Sequence, residues 1–501
     1  MLKASTPLIA TFLVYLAGML LIGYYAWRST KSFDDYILGG RRLGPAVTAL
    51  SAGASDMSGW LMMGLPGALY ISGLAEAWIA VGLTLGAWLN WRFVAGPLRV
   101  YTEHSGNALT LPDYLTHRFR DDSRVLRVLA ALVILVFFAV YCASGVVAGA
   151  RLFESVFGLS YAQAIWWGAA VTIAYTLVGG FLAVSWTDVA QGTLMLFALV
   201  LTPVMVVVAS GGFDTSLDLV REVDPTRLRW FGAGGAVAVV SALAWGLGYC
   251  GQPHILARFM AAESVQSIPR ARKIGMAWMI LCLVGSLAVG FFGIAYFAAH
   301  PEVAAPVEAN PERVFITAVE VLFNPWVAGV ILSAILAAVM STLSSQLLVC
   351  SSVLSEDFYR GFLRRQASQR ELVWVGRASV LLVALVALWL ARDPDSRVLG
   401  LVSYAWAGFG AAFGPVLVLS LFWGRMTRNG ALAGMVVGAV VVIAWKVVAV
   451  GLYGSQLYEI VPGFIAATLA IVAVSLLGRE PAQSIREGHV QVRQSLRETG
   501  Y

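Results

Sequence analysis

Apolar runs of about twenty residues, separated by short polar turns, repeat along the whole chain. They fall at about 8 to 27, 45 to 69, 74 to 95, 125 to 153, 161 to 184, 187 to 209, 233 to 256, 275 to 298, 326 to 354, 372 to 391, 398 to 423, 430 to 453 and 458 to 478. Each is long enough, as helix, to cross a hydrocarbon core about 30 Å thick. The pattern predicts an all-α polytopic membrane protein with about thirteen transmembrane helices. The first run is too long for a signal-peptide core and ends in aromatics and Arg28 with no small-residue cleavage site, so it reads as a span. The longest polar segments, roughly Arg92 to Arg124, Gly211 to Trp230, Ala299 to Pro325 and the tail from Arg479, are too short to build a core of their own. The whole of 1–501 is therefore expected to be one transmembrane domain.

Two runs are interrupted where a membrane helix should be most oily. In the second, Ser51 to Trp60 reads SAGASDMSGW, with Asp56 between Gly53 and Gly59. A carboxylate at that depth is disfavoured by roughly 2.5 to 3.5 kcal/mol and needs a cation, water or backbone partner. Each glycine weakens the helix by about 1 kcal/mol relative to alanine, so a short unwound segment is expected, and such backbone persists only where it lines a cavity. Small residues also serve close helix packing, which accounts for Gly and Ser but not for Asp. In the seventh run Trp245 to Pro253 reads WGLGYCGQP, where Pro253 removes a donor and frees carbonyls. The second and seventh runs are five apart and so cross in opposite directions. Broken helices at matching places in two inverted five-span units point to a secondary transporter's central site.

In the ninth run, AILAAVMSTLSS places Ser341, Thr342, Ser344 and Ser345 on more than one helix face. Such hydroxyls often bond their own i−4 carbonyls. Adjacent hydroxyls together with carbonyls from a broken helix would also suit a hard monovalent cation. Trp245 and Tyr249, four apart, offer an apolar wall for a ring, although aromatics at that spacing commonly just pack.

Composition agrees with the pattern. With 59% hydrophobic and 12% charged residues, the chain is no soluble globular protein. The net charge of +6 has no basic cluster with interleaved aromatics behind it, so no nucleic-acid partner is expected. With the N-terminus outside, cytoplasmic segments collect 25 Lys and Arg against 8 outside, Lys3 among the latter, which favours N-terminus out and C-terminus in. Cys142, Cys250, Cys282 and Cys350 lie in apolar runs without metal-ligand spacing and read as buried thiols. No Gly-Lys pair occurs, hence no phosphate-cradling loop, and no ATPase subunit is expected.

The GGR turn at Gly39 to Arg41, SAGASDMSGW, WGLGYCGQPHILARFMA, AAVMSTLSSQLLVCSS, TLPDYLTHRF, SWTDVAQGTLM and AWAGFGAAFGP occur in an order that resembles the sodium:solute symporter family over nearly the whole chain. The resemblance implies a LeuT-like 5+5 inverted repeat with broken helices. The extra N-terminal helix would be 8–27, the repeats 45–209 and 233–423, the two C-terminal helices 430–478 and the cytoplasmic tail 479–501. It implies sodium ligation by the carbonyls of Ala54, Met57 and Ala338 and the hydroxyls of Ser341 and Thr342, with Asp56 linked to sodium dependence. Ser58, Gly59, Tyr141, Trp245, Tyr249 and Pro253 would form the substrate region, and Arg41 would modulate transport. The expected activity is sodium-coupled uptake of L-proline by alternating access across a bacterial cytoplasmic membrane, with sodium co-transported and membrane lipid as surroundings. No enzymatic activity is expected. The alternatives are a sodium- or proton-coupled symporter of another small solute, a channel and, remotely, an intramembrane aspartyl protease. The last would need a second aspartate facing Asp56, and the nearest candidate, Asp188, is expected at the cytoplasmic entrance to span six.

Overall fold

A computed structural model describes residues 5–29 and 32–499. Lys3 and Lys31, which entered the charge count, lie outside them. Among the described residues the regular structure is all helix, apart from one isolated parallel bridge between Leu43 and Ala262.

Helical segments occupy every position the hydropathy pattern marks. Ten runs among the described residues are long and apolar enough to cross a membrane, or eleven when Gly235–Gly251 and Pro253–Met260, bent by 46°, form one crossing. Thirteen is therefore an approximate count. It is reached by dividing the long runs Trp60–His104 and Tyr161–Ala209. The division has a physical basis, since 45 helical residues would measure about 68 Å, twice the hydrocarbon core. Gly73 leaves the helix at φ 69, ψ −151, and a Cβ there would lie 2.2 Å from the Arg227 carbonyl oxygen. Gly180, at φ 65, ψ −172, divides the other run. The boundary between spans five and six thus falls at Gly180 and not between 184 and 187, because a non-helical backbone angle, to which hydropathy is blind, sets it.

Span two comprises Pro45–Asp56, Trp60–Gly64 and Leu65–Ser72. Span three is Ala77–Leu89 continued through Ala95–His104, span four Val125–Phe157, and span six Gly180–Ala209. Span seven is Gly235–Leu243, Ala244–Gly251 and Pro253–Met260, span eight Ile268–Ala299, span nine Pro325–Ser352, and span eleven Val398–Phe422. Spans nine and eleven form the centre, with 89% and 83% of their most apolar stretches buried, whereas the first span, Thr6–Ser29, has 22%. The last two, Arg428–Ala444 and Ile460–Leu477, are likewise peripheral. Chains of exposed Leu, Val and Trp on these outer helices present the face that bilayer hydrocarbon requires.

Spans three and seven touch through backbone. A Cβ on Gly86 would lie 2.2 Å from the Gly246 carbonyl oxygen, and one on Gly246 would lie 2.3 Å from that of Gly82. Glycines at i and i+4 let membrane helices approach this closely. After the last span, a helix over Gln483–Glu498 folds back onto Ala95–His104, with His489 buried 6.1 Å from the Tyr101 ring.

A candidate ion and substrate site at two broken helices

Span two runs as α-helix from Pro45 to Asp56 and breaks at Met57, whose φ −82 and ψ 83 leave the helical region. The Met57 amide still donates to the Gly53 carbonyl at 2.9 Å, but the Ser58 amide turns to the Asp56 carbonyl at 3.0 Å. In a continuous helix the Ser58 amide would bond the Ala54 carbonyl. Its diversion frees that oxygen, and span nine fills the gap. Ser341 Oγ donates to the Ala54 oxygen at 2.8 Å and lies 3.1 Å from the Ala338 carbonyl oxygen, while Thr342 Oγ1 lies 3.2 Å from the Ala54 oxygen. Ala54, Ala338, Ser341 and Thr342 therefore converge. Met57 forms the turn, with no hydrogen bond among the described residues joining it to the other four.

Asp56 faces elsewhere. Tyr249 Oη of span seven donates to its Oδ2 at 2.6 Å, while its buried Oδ1 has no partner among the described residues. The carboxylate borders a cavity of about 20 Å³, shared with Asn90, Trp91 and Met279, which is room for about one water-sized group. Tyr141 Oη reaches the Asp56 carbonyl at 3.3 Å, as does Trp60 Nε1 at 3.1 Å.

Span seven unwinds into a 3₁₀ stretch over Ala244–Gly251 and restarts at Pro253 after Gln252, which sits at ψ 106. Its freed carbonyls are taken by side chains. Trp406 Nε1 donates to the Trp245 oxygen at 2.8 Å, Gln252 Nε2 to that of Gly248 at 3.1 Å, and Asn90 Nδ2 to that of Tyr249 at 3.1 Å. The Trp245 ring is 5.4 Å from Tyr458, in a stacked arrangement, and Tyr249 meets Trp406 edge-on at 5.0 Å. The aromatic wall expected of Trp245 and Tyr249 is thus a larger cluster that includes Trp60, Trp406 and Tyr458. Ser58 is buried at the break, where its Oγ accepts from the Trp60 amide at 3.4 Å. Gly59 is packed so that a Cβ would lie 2.5 Å from Ala148 Cβ. Pro253 lines a different cavity, with Phe181, Ile134 and Arg258.

Arg41 lies outside this cluster. Its guanidinium donates to the Met260 carbonyl at 2.6 Å, the Ala108 carbonyl at 2.8 Å and Asn107 Oδ1 at 2.7 Å. Leu43 bonds Ala261, and Glu263 bonds Leu43 in turn, so the start of span two is laced to the end of span seven.

A buried ion pair lies beside the break in span two. Asp188 is not at an entrance to span six; it is fully buried within Gly180–Ala209, where Arg258 Nη2 lies 3.4 Å from its Oδ2. Ser51 Oγ donates to the same oxygen at 2.7 Å, and Arg258 reaches Ser51 Oγ at 3.0 Å and Ser345 Oγ at 2.5 Å. By the hydropathy bounds Arg258 falls just after run seven and enters the cytoplasmic sum of 25, whereas the structure buries it inside the bundle. Asp188 at the start of run six, in WTDVAQ, and Arg258 two residues past run seven, in ILARFM, were the available signal. Asp188 is held by Arg258, not by Asp56, which removes the carboxylate pair an aspartyl protease needs.

Two helices broken at the centre of a membrane bundle, opposite a serine-threonine pair on a buried third, define a secondary transporter. The chain belongs to the sodium:solute symporter family, whose model matches residues 36–438. It is 66% identical over 484 residues to a sodium/proline symporter of Salmonella typhimurium, covering 96% of this chain and 95% of that one. It is 53% identical to a high-affinity proline transporter of Bacillus subtilis, covering 94% and 98%. The fold is shared with a sodium-coupled sialic acid symporter in a substrate-bound outward-open state, at a TM-score of 0.81, 22% identity and coverage of 96% and 100%. It is shared more loosely with the nucleobase-cation-symport transporter Mhp1, at a TM-score of 0.57, 16% identity and coverage of 91% and 98%.

Proposed function

We propose that this protein takes up L-proline together with sodium by alternating access. The observation that carries the reading is the Ala54 carbonyl, released by the break in span two and met by Ser341 and Thr342. These oxygens, with the Ala338 and Met57 carbonyls, would ligate sodium, and Asp56 would supply negative charge nearby. The amide end of the second half of span two, at Ser58 and Gly59, suits a carboxylate. Tyr141, Trp245 and Tyr249 would receive the ring, Pro253 would shape the restart of span seven, and Arg41 would act through the lacing of the two helix ends. The units 45–209 and 233–423 would rock against each other around this site. The relatives that support the substrate are named for sodium and proline.

The test is sodium-driven uptake of labelled proline into proteoliposomes, challenged with unlabelled amino acids, sugars and vitamins. Proline should compete at the lowest concentration, and a stronger competitor would overturn the substrate assignment. The charge bias further supports an orientation in a bacterial inner membrane with the N-terminus outside and the C-terminus in the cytoplasm. An impermeant thiol reagent should then reach a cysteine at Arg229 in intact cells and one at Arg370 only after permeabilisation. The reverse pattern would invert the orientation.

A further inference from the structure

Where span four begins and span nine's extension Val353–Leu363 ends, an open cleft of about 790 Å³ is lined by Arg120, Arg124, Arg127, Arg360, Arg365 and His117. The carboxylates of the cleft do not balance these charges. Asp121 is engaged by Arg428 at 2.7 Å, and Glu356 by Arg360 at 3.2 Å. Arg127 is hydrogen-bonded to Asp113 and lies 3.6 Å from Asp357. Arg120, Arg124 and Arg365 have no carboxylate within 4.0 Å among the described residues, and only Asp122 remains to face the three. Arg120 and Arg124 both hold positive φ, at 49° and 60°, and so frame the turn that feeds span four. Such backbone is sparsely populated for residues other than glycine and concentrates at functional sites.

The other edge of the cleft is oily. Phe362 and Leu363 are exposed, Leu363 to 78%, and Arg124 sits 5.6 Å over the Phe362 ring. From the cleft, Val125, Leu132 and Val136 run down span four as an exposed apolar flank. Guanidinium groups recognise phosphate through paired, charge-assisted hydrogen bonds. A soluble phosphate would use the arginines and leave the apolar edge unused, whereas a phospholipid uses both.

We propose that this cleft binds the phosphate headgroup of an anionic phospholipid at Arg120, Arg124 and Arg365, with an acyl chain lying along Val125, Leu132 and Val136. The side of the membrane is the one the charge bias makes cytoplasmic, where anionic headgroups and basic residues attract each other.

The test uses the full-length protein in detergent, with lipid retention read by native mass spectrometry. Phosphatidylglycerol should be retained about tenfold or more over phosphatidylcholine. The triple variant Arg120→Gln, Arg124→Gln, Arg365→Gln should lose that preference, and Lys273→Gln, a charge change elsewhere, should keep it. Because the triple variant alters a turn, Arg365→Gln alone, exposed and without an ion-pair partner, should lower the preference severalfold. Equal retention of the two lipids, an unchanged preference in the arginine variants, or an equal loss in Lys273→Gln would each overturn the site. Complete displacement of phosphatidylglycerol by millimolar inorganic phosphate would instead make it a soluble-anion site.

Discussion

The Ala54 carbonyl is open to a ligand because one amide, that of Ser58, is turned to Asp56 instead. From this follow different fates for neighbouring hydroxyls. Ser341 and Thr342 reach across to span two, while Ser344 Oγ bonds the Ser341 carbonyl of its own helix at 3.2 Å. Ser341→Ala and Thr342→Ala should each raise the sodium concentration for half-maximal uptake about tenfold, the effect of losing about 1.4 kcal/mol of ion ligation, with Ser344→Ala much milder. Asp56→Asn should weaken sodium activation while expression holds, since it also relieves the cost of a buried carboxylate. Sodium titration of proline uptake ranks all four, and Ser344 as the most sensitive hydroxyl would contradict the geometry. Asp56 and the four hydroxyls of span nine were legible because polar groups in an apolar run stand out locally, whereas the choice of Ser341 and Thr342 among them rested on the family resemblance. The Asp188–Arg258 pair was not legible, since each member looks like a loop charge until the fold brings runs six and seven together. Trp406 and Asn90 were hidden for a similar reason, because a donor to an unwound carbonyl two spans or more away has no local spacing to betray it.

At the scale of elements, the break in span seven is positioned by contact with span three. Gly86 and Gly246 meet backbone to backbone, so Gly86→Ala and Gly246→Ala must separate the helices or strain them, with overpacking costing about 1–3 kcal/mol. Each should lower the melting temperature of the purified protein, while Gly18→Ala, inside a helix with nothing within 4 Å, should not lower it. The sequence marked span seven as broken through its glycines and proline; that Gly82 and Gly86 form the other half of the contact became visible only in three dimensions. The tail helix carries its own pH dependence. Burial, then Arg118 and Arg493, pushes His489 from an ordinary 6.5 down to about 4. The undocked helix therefore binds a proton more readily than the docked one, so docking is fully favoured above about pH 6.5 and weakens as pH falls toward 4. Once divided by the intrinsic rate at each pH, hydrogen-exchange protection over Gln483–Glu498 should fall across that window in the native protein and stay level in His489→Phe.

For the whole molecule, the arrangement of charge fixes what the membrane potential can do. Asp188 is neutralised by Arg258, which leaves Asp56 as the carboxylate in the broken helices without a cationic partner among the described residues. Proline is a zwitterion, so its transfer alone gains nothing from the potential, whereas each co-transported sodium contributes about 2.3 kcal/mol per 100 mV. A tenfold sodium gradient adds about 1.4 kcal/mol. With one sodium per proline, the gradient alone sets a ceiling of about tenfold accumulation, and adding about 100 mV, inside negative, raises that ceiling about fiftyfold, to several hundredfold. Proteoliposomes with a tenfold inward sodium gradient, with and without a valinomycin-set potassium potential, separate the cases. Accumulation indifferent to the potential would mean that the sodium charge does not cross with proline. A ceiling near the square of the one-sodium value would require a second ion, beyond the single donor set formed by Ala54, Ala338, Ser341 and Thr342.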